Sequence, residues 1–336
     1  MGLQLTTFLH RLGSVGAALR PGVAGPVAPG LGGGSAGSGA AAGMHGADLR
    51  DLTAERVRGL LPVDDRERFD GLVTGSRDAV VLRRTLAATA SVAAVAEVAE
   101  ALADADASTR RAVREPVRAM ARAGRQGDGT TCGSSVLTML AAHGDPTLAL
   151  WLAAGVVVRS ARPPELADAP DGALRALAEA PREARFASVQ RVLKRRTSRG
   201  AVLGAPWPAR YGTPPWTAAR VARLLGVPYG HHPLDDTDRP HLDAALDRVG
   251  RAVSLGVPVP LYTGGDSGRG WGTAVPRHVV LALDADGDGL HVWEPGSGAV
   301  VVADRAALTS GRPHAALGHW NHLVWVLPPR LPGVTA

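Results

Sequence analysis

Three scarcities set the limits. Cysteine occurs once in 336 residues, at Cys132. A lone thiol excludes an intrachain disulfide framework and any multi-cysteine zinc or iron–sulfur site. Lysine also occurs once, at Lys194, so the net charge of +6 rests on arginine. That bias matches coding composition better than a nucleic-acid surface, and no nucleic-acid partner is expected. Long apolar runs are missing as well. His10, Arg11 and glycines interrupt Met1–Arg20, and the apolar stretch Leu86–Leu102 carries Glu97 and Glu100. Neither a secretory h-region nor a membrane span is expected. The expectation is a soluble, cytoplasmic protein without membrane contact, with secretion by a non-standard route left open.

What is present builds a core. Hydrophobic residues make up 45% of the chain and charged residues 20%, which excludes a wholly disordered chain; the 42 glycines and 25 prolines require loop-rich segments. At roughly 150 residues per domain the length suits two structured units. Residues 1–46 hold thirteen glycines, densest at Gly32–Gly39, and read as a disordered Gly/Ala/Pro-rich tail. Residues 47–124 read as a helical extension, with apolar positions at spacings of three and four. Within it Arg110, Arg111, Arg114, Arg118, Arg122 and Arg125 are expected to line one helical face, which lacks interleaved aromatics and reads as a solvated surface. From residue 125 to 330 the texture changes: helices first, then the strand signals Val257–Tyr262, His278–Leu283, Leu290–Trp293, Val300–Ala303 and His322–Leu327. This order specifies an α+β fold. A further helix is expected over Thr217–Leu225.

The segment that carries chemistry begins at Gln126. The run Gly129-Thr130-Thr131 precedes Cys132, and Val136, Leu137, Leu140 and Ala141 then fall on one side of a helix. A thiol at a helix start meets the positive end of the helix dipole and free N–H groups, which favour a thiolate. Gly133 is expected to leave the approach to the sulfur uncrowded. Gln126, six residues upstream, is placed to join the Cys132 N–H in binding an oxyanion. A thiol nucleophile needs a base and a group to orient that base. His278 opens an apolar strand, and Glu294 closes the next one, just before Pro295, across a turn rich in Asp and Gly. A turn with an odd number of residues pairs His278 directly with Glu294; an even one breaks that pairing.

These residues resemble a family. Gln-x5-Cys-Gly-x3-Leu-x-Met-Leu-x2-His-Gly, followed far downstream by His-Val-Val-Leu and an acidic residue before Pro, is similar to the papain-like double-glycine leader peptidases, bacterial enzymes that process bacteriocin precursors (peptidase family thirty-nine). The resemblance runs over about residues 125–328 and includes free-standing relatives. It implies a papain-like cysteine peptidase fold, in which a helix carrying the nucleophile packs on an antiparallel sheet carrying the base. By that pattern Cys132 is the nucleophile, His278 the base and Gln126 the oxyanion donor, with Glu294 in the place usually held by Asp. Residues of about 151–210 look inserted relative to a minimal domain. Neither a membrane exporter nor an ATPase is encoded in these 336 residues, so cleavage after Gly-Gly is not part of the expectation.

Other signals carry less. Asp284-x-Asp286-x-Asp288-Gly289 begins like a calcium loop but has Pro295 where a bidentate Glu is needed. His231–His241 has ligand residue types without regular spacing and reads as a polar loop. Gly264–Gly270 lacks the setting of a phosphate loop and reads as a rim of the active site. Trp271, Trp293, Trp320 and Trp325 suit either an aromatic cleft or the core of the sheet. The expectation is therefore a cysteine hydrolase acting on a peptide or protein substrate through a thioester, without metal or cofactor. The alternatives are transglutaminase-like acyl transfer at the same site, or a catalytically inactive peptide-binding scaffold. Nothing in the sequence fixes an oligomeric state.

Overall fold

The computed structural model describes residues 48–202, 204–264 and 276–331. The glycine-rich stretch 1–46, most of the Gly264–Gly270 loop and Trp271 lie outside them. The described chain is α+β, with thirteen α-helices and a six-stranded antiparallel sheet among the described residues.

Six helices come first: α1 (Leu49–Leu60), α2 (Val63–Val73), α3 (Ala79–Thr89), α4 (Val92–Ala103), α5 (Ala107–Arg114) and α6 (Pro116–Ala119). Side-chain caps start several of them. Asp48 accepts from Arg50 N, Ser91 from Ala94 N and Asp106 from Thr109 N, each satisfying a donor that the first helical turn leaves open. One expectation fails here. The basic face drawn from Arg110 to Arg125 is not one helix, because the backbone leaves helical geometry at Glu115 (φ −132°, ψ 61°) and α6 ends at Ala119. Pro116 has no N–H to continue α5 and instead begins a new helix. Arg122 and Arg125 therefore lie on the irregular segment that leads into the candidate site.

The second part begins with α7 (Cys132–Gly144) and α8 (Pro146–Ala154), both almost wholly buried. Residues 155–214 add α9 (Asp171–Ala178) and α10 (Arg182–Ser198), the latter packed on α7. A buried ion cluster ties this stretch down. Arg223 bonds Asp145 at 2.9 Å and Glu165 at 2.7 Å, and both carboxylates are almost fully enclosed. Such a cluster is costly to break, since losing one partner strands a buried charge. Then come α11 (Pro215–Val221) and α12 (Arg239–Ser254). α11 is shorter than the Thr217–Leu225 expectation, because Ala222 turns extended and Leu225 and Gly226 take left-handed φ values of 49° and 73°.

The strands are β1 (His232–Pro233), β2 (Val259–Gly264), β3 (His278–Asp286), β4 (Gly289–Glu294), β5 (Ala299–Ala303) and β6 (His322–Val326). Their order in the sheet is β1-β6-β2-β3-β4-β5. β2 is buried along its whole length and β3 along its first six residues, as the unbroken apolar runs require. Helices α7 and α12 pack on β3. Short α13 (Arg305–Leu308) and a 3₁₀ turn at Ala315–Leu317 precede β6. The buried apolar side chains from Phe69 to Leu327 form one continuous core. Trp293 and Trp325 belong to that core, while Trp320 is half-buried.

The β3–β4 hairpin corrects another expectation. Asp286 pairs with Gly289, so the turn holds two residues, Gly287 and Asp288, an even number. On its own that register would place Glu294 opposite Leu281, on the other face of the sheet from His278. A β-bulge between Ala282 and Asp284 adds one residue to β3 and shifts the register to Leu281↔Trp293. Extended by one position, the pairing sets Glu294 across from Val280, so Glu294 and His278 share a face as diagonal neighbours. The turn closes only because residue 289 is glycine: its φ is 136°, and a Cβ there would lie 2.6 Å from the Ala303 carbonyl oxygen. Gly289→Ala is expected to cost about 1–3 kcal/mol, read as a lowered urea midpoint with an unchanged m-value.

Candidate active site

Cys132 is the first residue of α7. The loop before it is cross-tied: Asp128 Oδ1 accepts from Thr130 N at 2.7 Å, and Asp128 N donates to Thr131 Oγ1 at 3.1 Å. Ser135 N donates to Thr131 O at 2.9 Å, the first main-chain bond of the helix, so the N–H groups of residues 132–134 point out of the helix start. The geometry suits an oxyanion next to the sulfur. Gly133 has a different use from the one expected. A Cβ there would fall 2.5 Å from Thr213 Cβ, so the glycine admits Thr213 against the helix start rather than clearing a path to the thiol.

His278 opens β3 and is 8% exposed. Its Nε2 donates to Glu294 Oε1 at 2.7 Å, which leaves Nδ1 for Cys132. Burial alone would lower the imidazole pKa, but hydrogen bonding to Cys132 and Glu294, with the negative charge of both partners, outweighs it and raises the value to about 9. Glu294 closes β4 and also accepts from Gly296 N at 2.5 Å and Ser297 N at 2.7 Å. Burial would raise its pKa, yet the bond from His278 and those from residues 296 and 297 bring it down to about 2. Diagonal neighbours on a sheet have Cα atoms roughly 7–8 Å apart. The longer glutamate arm spans that gap, which gives a physical reason for Glu rather than Asp.

Gln126 is tied to the same corner through its main chain, donating from N to Pro295 O at 3.0 Å. Its side-chain oxygen is buried and has no hydrogen-bond partner among the described residues. Three neighbours escaped the sequence reading. Gly318 has φ 66°, and a Cβ there would strike the His278 ring at 2.3 Å, so this glycine lets the 3₁₀ turn press against the imidazole. Gly296 faces the Glu294 carboxylate, where a Cβ would be 2.8 Å from Oε1. Tyr262 is fully buried on β2, with a hydroxyl lacking a partner among the described residues. Burial, together with the charge of Cys132, pushes that hydroxyl well above its usual range. The glycines carry a weak signal, each following or preceding a strand end; Tyr262 carries none beyond its place in an apolar run.

The structure thus brings together Cys132, His278 and Glu294 and sets the Gln126 main chain beside them. Cavities of about 400 and 780 Å³ elsewhere are lined by other residues. No group of three or more His, Cys, Asp or Glu side chains suited to a metal ion occurs among the described residues. Comparison with family models, curated proteins and solved structures finds no match to this chain.

The paired shifts set a pH dependence. His278 is raised from 6.5 to about 9, so its contribution to stability is complete below pH 6.5 and is lost as pH rises through about 9. Glu294 is lowered from 4.5 to about 2, so its contribution is complete above pH 4.5 and is lost as pH falls toward about 2. Glu294→Gln is expected to move the His278 titration, followed by NMR of the ring, back toward 6.5 and to remove the acid limb of a urea-midpoint profile. An unmoved histidine titration would contradict the assignment.

Proposed function

We propose that the protein is a cysteine hydrolase that cleaves a peptide or amide bond through a thioester, with a papain-like arrangement of its site. The observation that carries this reading is the single run of contacts from a helix-start sulfur through one imidazole to a buried carboxylate, made by residues 132, 278 and 294. Below about pH 9 His278 already holds the proton that Cys132 gives up, and Glu294 accepts from Nε2–H and stabilises the imidazolium. The sulfur attacks the carbonyl carbon. The N–H of Cys132 and the Gln126 amide receive the developing oxyanion. His278 then protonates the departing amine, and water, deprotonated by the same imidazole, releases the acid and restores the thiol.

One observation favours the scaffold reading: Cys132 is only 4% exposed. Chemistry separates the two. On the hydrolase reading iodoacetamide labels Cys132 in the folded chain at pH 7, and His278→Ala slows labelling by roughly 100-fold; a thiol that reacts only on unfolding supports the scaffold. Turnover of a peptide mixture should lose its rate as pH rises through about 9, where His278 no longer carries the proton for the leaving amine. Product mass separates hydrolysis, which gives a free acid, from acyl transfer, which gives a new amide.

A further inference from the structure

A groove of about 780 Å³ lies behind the Glu294–Gly298 turn, lined by four arginines against one glutamate, Glu183. The arginines differ in what they already hold. Arg118 reaches Asp284 at 2.8 Å. Buried Arg185 donates to main-chain carbonyls at the ends of α8 and α9, including Leu152 O and Ala178 O, and so complements helix dipoles. Arg122 and Arg182 make no ion pair within 4 Å among the described residues; Arg182 donates to the Ala153 carbonyl at 3.3 Å and acts on the Asp106 carboxylate only from farther off. Two guanidinium groups are thus left to bind an anion with charge-assisted hydrogen bonds.

The surroundings suit an extended polypeptide. Most of the remaining lining is alanine, with no aromatic side chain on which a base could stack. Ala299 opens β5, the outermost strand, whose far edge meets no other strand among the described residues. Such an edge can take main-chain hydrogen bonds from an added strand. The first 46 residues contain neither Asp nor Glu, so they do not supply an acidic occupant. The groove also adjoins the candidate site along the chain: Ala123, which lines it, is three residues before Gln126, and Arg125 Nε donates to Gly296 O at 3.0 Å on the turn that holds Glu294.

We propose that this groove binds an acidic stretch of the polypeptide on which Cys132 acts. Calling the occupant a substrate segment rests on the hydrolase reading; the binding itself does not. The test is fluorescence anisotropy of a labelled ten-residue polyglutamate with the full chain carrying Cys132→Ala, which prevents turnover. Saturable binding is expected, weakened at least about tenfold by R122Q/R182Q and by added salt. A charge-swapped pair, R122E/R182E with polylysine, is expected to restore binding, which a misfolded variant could not do. Exposed Arg122, changed alone to Gln, should weaken binding by a smaller factor. Absence of binding, or binding indifferent to these substitutions, overturns the proposal without touching the thiol chemistry. Equal or tighter binding of a ten-nucleotide oligothymidylate overturns it in favour of a nucleic-acid surface.

Discussion

A buried bond between one imidazole and one carboxylate organises the candidate site. His278 and Glu294 are only 8% and 5% exposed, so solvent screens their bond little. An unpaired charge there would be expensive, so each group's state depends on the other. The pair fixes Nε2 on Glu294, and the same ring interacts with Cys132. Three main-chain features close around it: the N–H groups of Gly296 and Ser297 on the carboxylate, and Gly318 against the ring.

The hairpin shows how narrowly this alignment is set. A two-residue turn would send Glu294 to the wrong face, and one extra residue in β3 corrects it. Side chains alternate faces with a period of two, so a one-residue change moves a functional group across the sheet. The bulge is thus part of the site although it contributes no side chain to it. Two glycines act in the same way, since a methyl group at Gly318 would meet the His278 ring and one at Gly296 the Glu294 carboxylate.

Much of this was legible in the sequence. Cys132 at a helix start, His278 at a strand start and Glu294 before Pro295 follow from apolar periodicity and turn residues, because a side chain's place at the end of an element is a local property. The α+β order follows for the same reason, from helical spacing giving way to unbroken apolar runs. The bulge was not legible: Ala282-Leu283-Asp284 reads like ordinary strand, and register is decided by the partner strand. The helix break at Glu115 is local, set by Pro116, which has no N–H and restricts the residue before it. The contacts of Thr213 with Gly133 and of Gly318 with His278 join distant segments, which pattern within a short window does not reach.

The central claim is that Glu294 acts on Cys132 only through His278. A double-mutant cycle on the rate of Cys132 alkylation at pH 7 tests it most directly. The account predicts that Glu294→Gln slows alkylation markedly in the wild-type background and has almost no effect once His278 is alanine. Equal effects of Glu294→Gln in both backgrounds would contradict it.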